Sequence, residues 1–112
     1  NRALAAGFEL PTIIHQRAIV APSASIAAGC TIMAGAIVGT EAALGLGVIV
    51  NSGSVVDHHC RVEDFAHVGT NASLAGGSVL GPAAWLQAGP APGYQVVVPA
   101  AAVLAPGEGR AR

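Results

Sequence analysis

An aliphatic residue returns every six positions along nearly the whole chain. The series runs Ile14, Val20, Ile26, Ile32, Val38, Leu44, Val50, Val56, Val62, Val68, Leu74, Leu80, Leu86, Pro92, Val98 and Leu104. Only Pro92 breaks it. A fixed short period means stacked coils rather than an ordinary globular core. Six is not a helical period but is a multiple of the strand period of two, so each hexad reads as a short strand plus a turn. The first and fifth residues of a hexad then point the same way. The first is large; the fifth is small (Ala18, Ala24, Cys30, Ala36, Ala42, Ser54, Cys60, Ala66, Ala72, Ser78, Ala84). Together they fit the inside of a narrow prism. The fourth position favours Gly or Asn, as at Gly29, Gly35, Gly47, Gly53, Asn71, Gly77 and Gly89. Such residues accept the left-handed backbone angles of turns. Three flat sides close a triangular coil of eighteen residues.

Composition narrows the function classes. Apolar residues make up 53% and charged residues 10% of the 112 residues, with a formal net charge of −1. That is too apolar for disorder and too weakly charged for a nucleic-acid groove. Gly, Ser, Asn, Asp and His interrupt every apolar stretch before it reaches membrane-spanning length. Cys30 and Cys60 occupy small inward positions and read as buried hydrophobes, not a disulfide framework. A reducing, cytoplasmic location fits.

The aliphatic series and the small fifth position resemble the hexapeptide-repeat family of left-handed parallel β-helices. The resemblance covers residues 14–109, about five coils with no inserted loop, and implies the left-handed winding. Gly89-Pro90-Ala91-Pro92-Gly93 predicts a distorted side, because proline cannot donate a ladder hydrogen bond. Residues 1–13 read as a short helical stub, the remnant of a larger N-terminal domain. Residues 110–112 read as a tail.

Four histidines stand out in a chain with few polar side chains: His15, His58, His59 and His67. His58 is third and His67 sixth in its hexad, so both project from the prism surface. Nine residues is half a coil, so the two need not touch within one chain. Imidazole is the side chain best matched to proton transfer near neutral pH.

The stretch Val50 to Cys60, followed by Phe65-Ala66-His67-Val68-Gly69 and Leu74-Ala75-Gly76-Gly77, resembles the sugar acetyltransferases of the sialic-acid O-acetyltransferase type. That group includes enzymes acting on nucleotide-linked 4-amino sugars. Its spacing is matched by Asn51, His58, His67 and Gly76. The resemblance implies His58 as general base, removing a proton from an acceptor amine or hydroxyl as it attacks acetyl-CoA. It puts His67 near the thioester, the Gly76 N–H toward the oxyanion and Ala88 along the pantetheine arm. Asn51, Asp57 and His59 are supporting residues. The implied assembly is a homotrimer with sites between subunits, using acetyl-CoA as co-substrate, a sugar or nucleotide-sugar acceptor and no metal. The chain departs from the family pattern at His59, where an acidic residue is usual. Asp57, Glu63 or Asp64 is the expected substitute, with Asp57 or an acid from the neighbouring subunit first. No glycine-rich loop of the family's N-terminal Rossmann-like domain is seen, so the chain reads as a fragment.

Two other readings compete. One is a non-catalytic trimeric scaffold. The other is a zinc enzyme resembling the γ-class carbonic anhydrases, which the absence of a close His-x4-His pair opposes. Adjacent His58 and His59 are expected to point in different directions, as neighbours on a strand do.

Overall fold

A computed structural model of the protein describes residues 10–106. The described residues form a parallel β-solenoid of about five turns, with three sheets as its sides. The first sheet stacks Ile13–Ile14, Thr31–Ile32, Ile49–Val50, His67–Val68, Trp85–Leu86 and Val103–Leu104. The second stacks Ile19–Val20, Ile37–Val38, Val55–Val56 and Ser73–Leu74. The third stacks Ser25–Ile26, Ala43–Leu44, Arg61–Val62, Val79–Leu80 and Val97–Val98. Each residue pairs with the one a full coil later, as Ile14 with Ile32, Val38 with Val56 and Leu80 with Val98.

The hexad explains the core. From Ile32 onward the aliphatic position is buried on every strand, and Cys30, Ala36, Ala42, Ala66, Ala72 and Ala84 are buried beside it. Ile14 remains 47% exposed on the end strand of its sheet, the first of the described coils. The corner position is left-handed at every sixth residue from Gly29 to Ala101. Glycine is not required there: Glu41, His59, Phe65, Asn71, Ala83, Gln95 and Ala101 all hold φ between 50° and 60°.

The second sheet ends at Ser73–Leu74, where Ala91–Pro92 would have supplied the next strand. The two prolines explain the gap, yet the coil keeps its register. Ser73 N–H still reaches Pro90 O at 2.9 Å. Ser78 holds the rest of the distorted side: its Oγ donates to Gly93 O and accepts from Val96 N–H, both at 3.1 Å. Ser78→Ala is expected to cost about 1–3 kcal/mol by leaving those groups without a partner. Ser54, whose Oγ makes a single bond to Asn51 O at 2.7 Å, should cost less. Urea midpoints of the two variants check this; equal losses would contradict it.

Among the described residues there is no helix. The expected helical stub over 1–13 therefore needs correction where it can be seen. Residues 1–9 lie outside the described residues, Leu10–Thr12 form no regular element, and Ile13 already belongs to the first strand. Ile13 can start the ladder because its N–H finds Cys30 O at 2.8 Å. The expected tail at 110–112 also lies outside the described residues.

Candidate active site

The turn Asp57–Cys60 joins the second sheet to the third. His59 sits at its left-handed corner, with φ 57°, and donates its N–H to Thr40 O of the preceding coil at 2.9 Å. Asp57 Oδ1 accepts the His58 N–H at 2.8 Å, and His58 O accepts the Gly77 N–H at 3.0 Å. These bonds fix the backbone under both imidazoles. The His58 ring leans over Gly76, one coil on. A β-carbon at Gly76 would overlap His58 Nε2 and Cε1. The absent side chain therefore makes the seat in which His58 Nε2 rests. Among the described residues the Gly76 N–H has no acceptor.

The expectation that His58 and His59 diverge does not hold. They lie in a turn, not on a strand, and the left-handed corner swings the second ring back toward the first. Their ring planes meet at 80°, with Nδ1 atoms 3.2 Å apart.

Asn51 and His67 form a second cluster, on the first sheet and its edge toward the second. Asn51 Oδ1 accepts the Ser52 N–H at 2.7 Å. That fixes the orientation of the carboxamide, so Nδ2 faces His67 Nε2, at 3.2 Å, as a donor. His67 Nε2 must then be the acceptor, which leaves the ring proton on Nδ1. Trp85, one coil later in the same sheet, stacks on the His67 ring with centroids 5.8 Å apart and planes 12° apart. Ala88 is exposed on this same edge, where Gly89 N–H bonds Thr70 O.

Burial pushes the His67 imidazole below its ordinary value. Protonation would also turn Nε2 into a donor facing a donor. The folded state therefore resists a proton that the unfolded chain takes up as pH falls through about 6.5. Stability should fall between neutral pH and the lower folded value, then level off. Urea midpoints measured from pH 7.5 to pH 5 should show this loss, and His67→Gln should reduce it. An unchanged pH dependence in that variant would contradict the assignment.

The matched spacing thus folds into two pairs, His58 with Gly76 and Asn51 with His67. Within one chain they occupy different sides of the prism. The acids expected to replace the missing carboxylate are engaged elsewhere. Asp57 caps the His58 backbone, Glu63 faces Arg61 at 4.0 Å, and Asp64 Oδ1 accepts the Leu46 N–H at 2.9 Å. Cys30 and Cys60 are fully buried, and that burial raises both thiols above their ordinary value, so neither is poised as a nucleophile. Among the described residues no three His, Cys, Asp or Glu side chains converge as metal ligands would. Trp85 was not singled out by the sequence reading, although it stands one coil after His67 and its spacing marks it.

No known protein-family description matches the chain. Solved structures do. A histidine-to-alanine mutant of GDP-perosamine N-acetyltransferase from Caulobacter crescentus, in complex with CoA and GDP-perosamine, is 33% identical with a TM-score of 0.76. The match covers 94% of this chain and 53% of that one. The acetyltransferase domain of PglB from Neisseria gonorrhoeae FA1090 is 38% identical with a TM-score of 0.68, over 94% of this chain and 54% of that one. Serine acetyltransferase from Neisseria gonorrhoeae, 23% identical with a TM-score of 0.72, covers 85% of this chain and 39% of that one. It shares the fold alone. These solved structures are acetyltransferases of the hexapeptide-repeat class. Within that class the chain is similar to the perosamine enzyme and the PglB domain in sequence as well as fold, and it spans about half the length of each.

Proposed function

We propose that this domain transfers the acetyl group of acetyl-CoA to the amine or hydroxyl of a sugar, nucleotide-linked in the form we favour. His58 Nε2 takes a proton from the acceptor as its nitrogen or oxygen attacks the thioester carbonyl carbon. The tetrahedral intermediate places its oxyanion at the Gly76 N–H. The C–S bond then breaks, and the CoA thiolate leaves and is protonated from the His58 imidazolium. His67, held by Asn51 and Trp85, borders the thioester, and Ala88 lies along the pantetheine arm. The acyl group passes directly to the acceptor, which agrees with both cysteines being buried.

The observation that carries this reading is His58 Nε2 seated on Gly76. It puts a proton acceptor beside an unbonded backbone donor, the two groups acyl transfer requires. Support comes from the relatives, since the Caulobacter complex holds CoA and GDP-perosamine and a PglB domain was solved with acetyl coenzyme A.

The same reading includes a homotrimer with each site between two copies. It fits the exposed apolar residues on the prism sides, among them Ile19 and Ile37 on the second sheet and Ile49 on the first. It also takes the solenoid as left-handed, residues 14–109 as the catalytic domain, 1–13 as the end of an acceptor-binding domain, and the cytoplasm as the location. The test is thiol release from acetyl-CoA with nucleotide-linked amino sugars, with and without a chelator. Acceptor-dependent release insensitive to chelator is expected. Acceptor-independent release, or none, would overturn the proposal, and chelator-sensitive hydration of CO2 would favour a metal enzyme.

A further inference from the structure

The backbone beneath His58 and His59 is fixed on both neighbouring coils, so the approach of the two rings is built into the turn. Their Nδ1 atoms, 3.2 Å apart, leave room for one proton between them. If that proton sits on His58 Nδ1, His58 Nε2 carries a lone pair and can accept a proton. If it sits on His59 Nδ1, His58 Nε2 must already be protonated in the neutral ring, and His58 cannot act as a base.

We propose that His59 is a positioning residue that accepts a hydrogen bond from His58 Nδ1–H and so keeps His58 Nε2 free, making the two imidazoles one proton-accepting unit. The proposal rests on the acetyl-transfer reading above. His59 then carries its own proton on Nε2 and presents the Nδ1 lone pair. When His58 accepts the acceptor's proton, the Nδ1–H···Nδ1 bond becomes charge-assisted and strengthens. His59 does for a neutral pair what a carboxylate would do with a charge.

The charged groups around the pair do not change this arrangement. Asp57 is engaged with the His58 backbone N–H. Glu41 occupies the same corner one coil earlier, its own N–H bonded to Ser23 Oγ. Arg61 opens the next strand and faces Glu63. The following coil contributes Gly76 and Gly77, neither of them titratable. Among the described residues the His59 ring has no hydrogen-bond partner besides His58.

The test uses the assembled protein labelled with 15N-histidine, in which long-range proton–nitrogen spectra report the tautomer of each ring. Two variants keep the fold within reach. His59→Ala places a residue that already holds this corner angle at Ala83 and Ala101, both at φ 58°. His59→Asn places one that holds it at Asn71, at φ 57°, and retains an acceptor oxygen. In the unaltered protein His58 should be the Nδ1–H tautomer and His59 the Nε2–H tautomer. His59→Ala should shift His58 toward Nε2–H and lower kcat about tenfold, with KM for acetyl-CoA unchanged. His59→Asn should restore the tautomer and most of the rate, because the amide oxygen still accepts the His58 Nδ1–H. An Nε2–H His58 in the unaltered protein, or an unchanged tautomer and rate in His59→Ala, would overturn the proposal. If the tautomers are as described but no acetyl transfer occurs, the proton arrangement is supported and the acetyl-transfer reading fails.

Discussion

His58→Ala is expected to lower the rate of acetyl transfer by roughly 10²- to 10⁴-fold, the usual contribution of a positioned general base. The loss should appear in kcat, with KM for acetyl-CoA little changed, because His58 moves protons during the reaction and does not hold the cofactor in the ground state. The side chain is exposed, so thermal unfolding should hardly move. Steady-state thiol release by the purified variant checks both. A loss smaller than tenfold would assign the proton to another group.

Gly76→Ala should lower activity about a hundredfold through the same histidine. Gly76 lies outside the left-handed region, so alanine strains no backbone there. Its methyl would overlap His58 Nε2 and Cε1, and the ring must swing off its seat. A displacement near 1 Å at a reacting group costs on the order of 10² in rate. The substitution should therefore reduce kcat while the protein stays folded. In a His58→Ala background it should add little, because the two residues act as a unit. Gly77→Ala is the contrasting control. Its φ of 75° disfavours any side chain, and its added carbon would lie 3.2 Å from Gln95 Cγ, so it should weaken the fold by about 1 kcal/mol. Kinetics and denaturation run on both variants separate the cases. Equal rates for Gly76→Ala and the unaltered protein would remove Gly76 from the site.

The sheets were legible in the sequence because the hexad has no tolerance for insertion. Each aliphatic must fall inside, so Val56 and Leu74 could be placed by counting, and Pro92 could be seen to break a side. That Ser78 would repair the distortion was not legible. The bond depends on where the Pro90–Gly93 backbone settles once the strand is lost, and nothing in the residue order states that. The site divides in the same way. Asn51, His58, His67 and Gly76 are candidates because their spacing resembles that of the acetyltransferase family. Their partners were not legible, because each contact runs between coils. His58 meets Gly76 eighteen residues on, and Trp85 meets His67 at the same interval. The His58–His59 contact runs against strand alternation because it forms at a left-handed corner, where successive side chains need not diverge. Asp57 was expected to serve the imidazole. It caps the next N–H instead, as the side chain of Asn51 does at the same hexad position, while His15 at that position accepts the N–H two residues on.

In the proposed homotrimer the His58–Gly76 pair of one chain and the Asn51–His67 pair of another complete a single site. Mixed assembly tests it most directly. His58→Ala and His67→Ala chains, each strongly impaired alone, are unfolded, combined in equal amounts and refolded together. Random pairing at each interface would then unite an intact His58 with an intact His67 in roughly a quarter of the sites, with a corresponding return of acetyl transfer. Co-assembled chains that recover nothing above the two separate variants would show that the halves do not meet between copies.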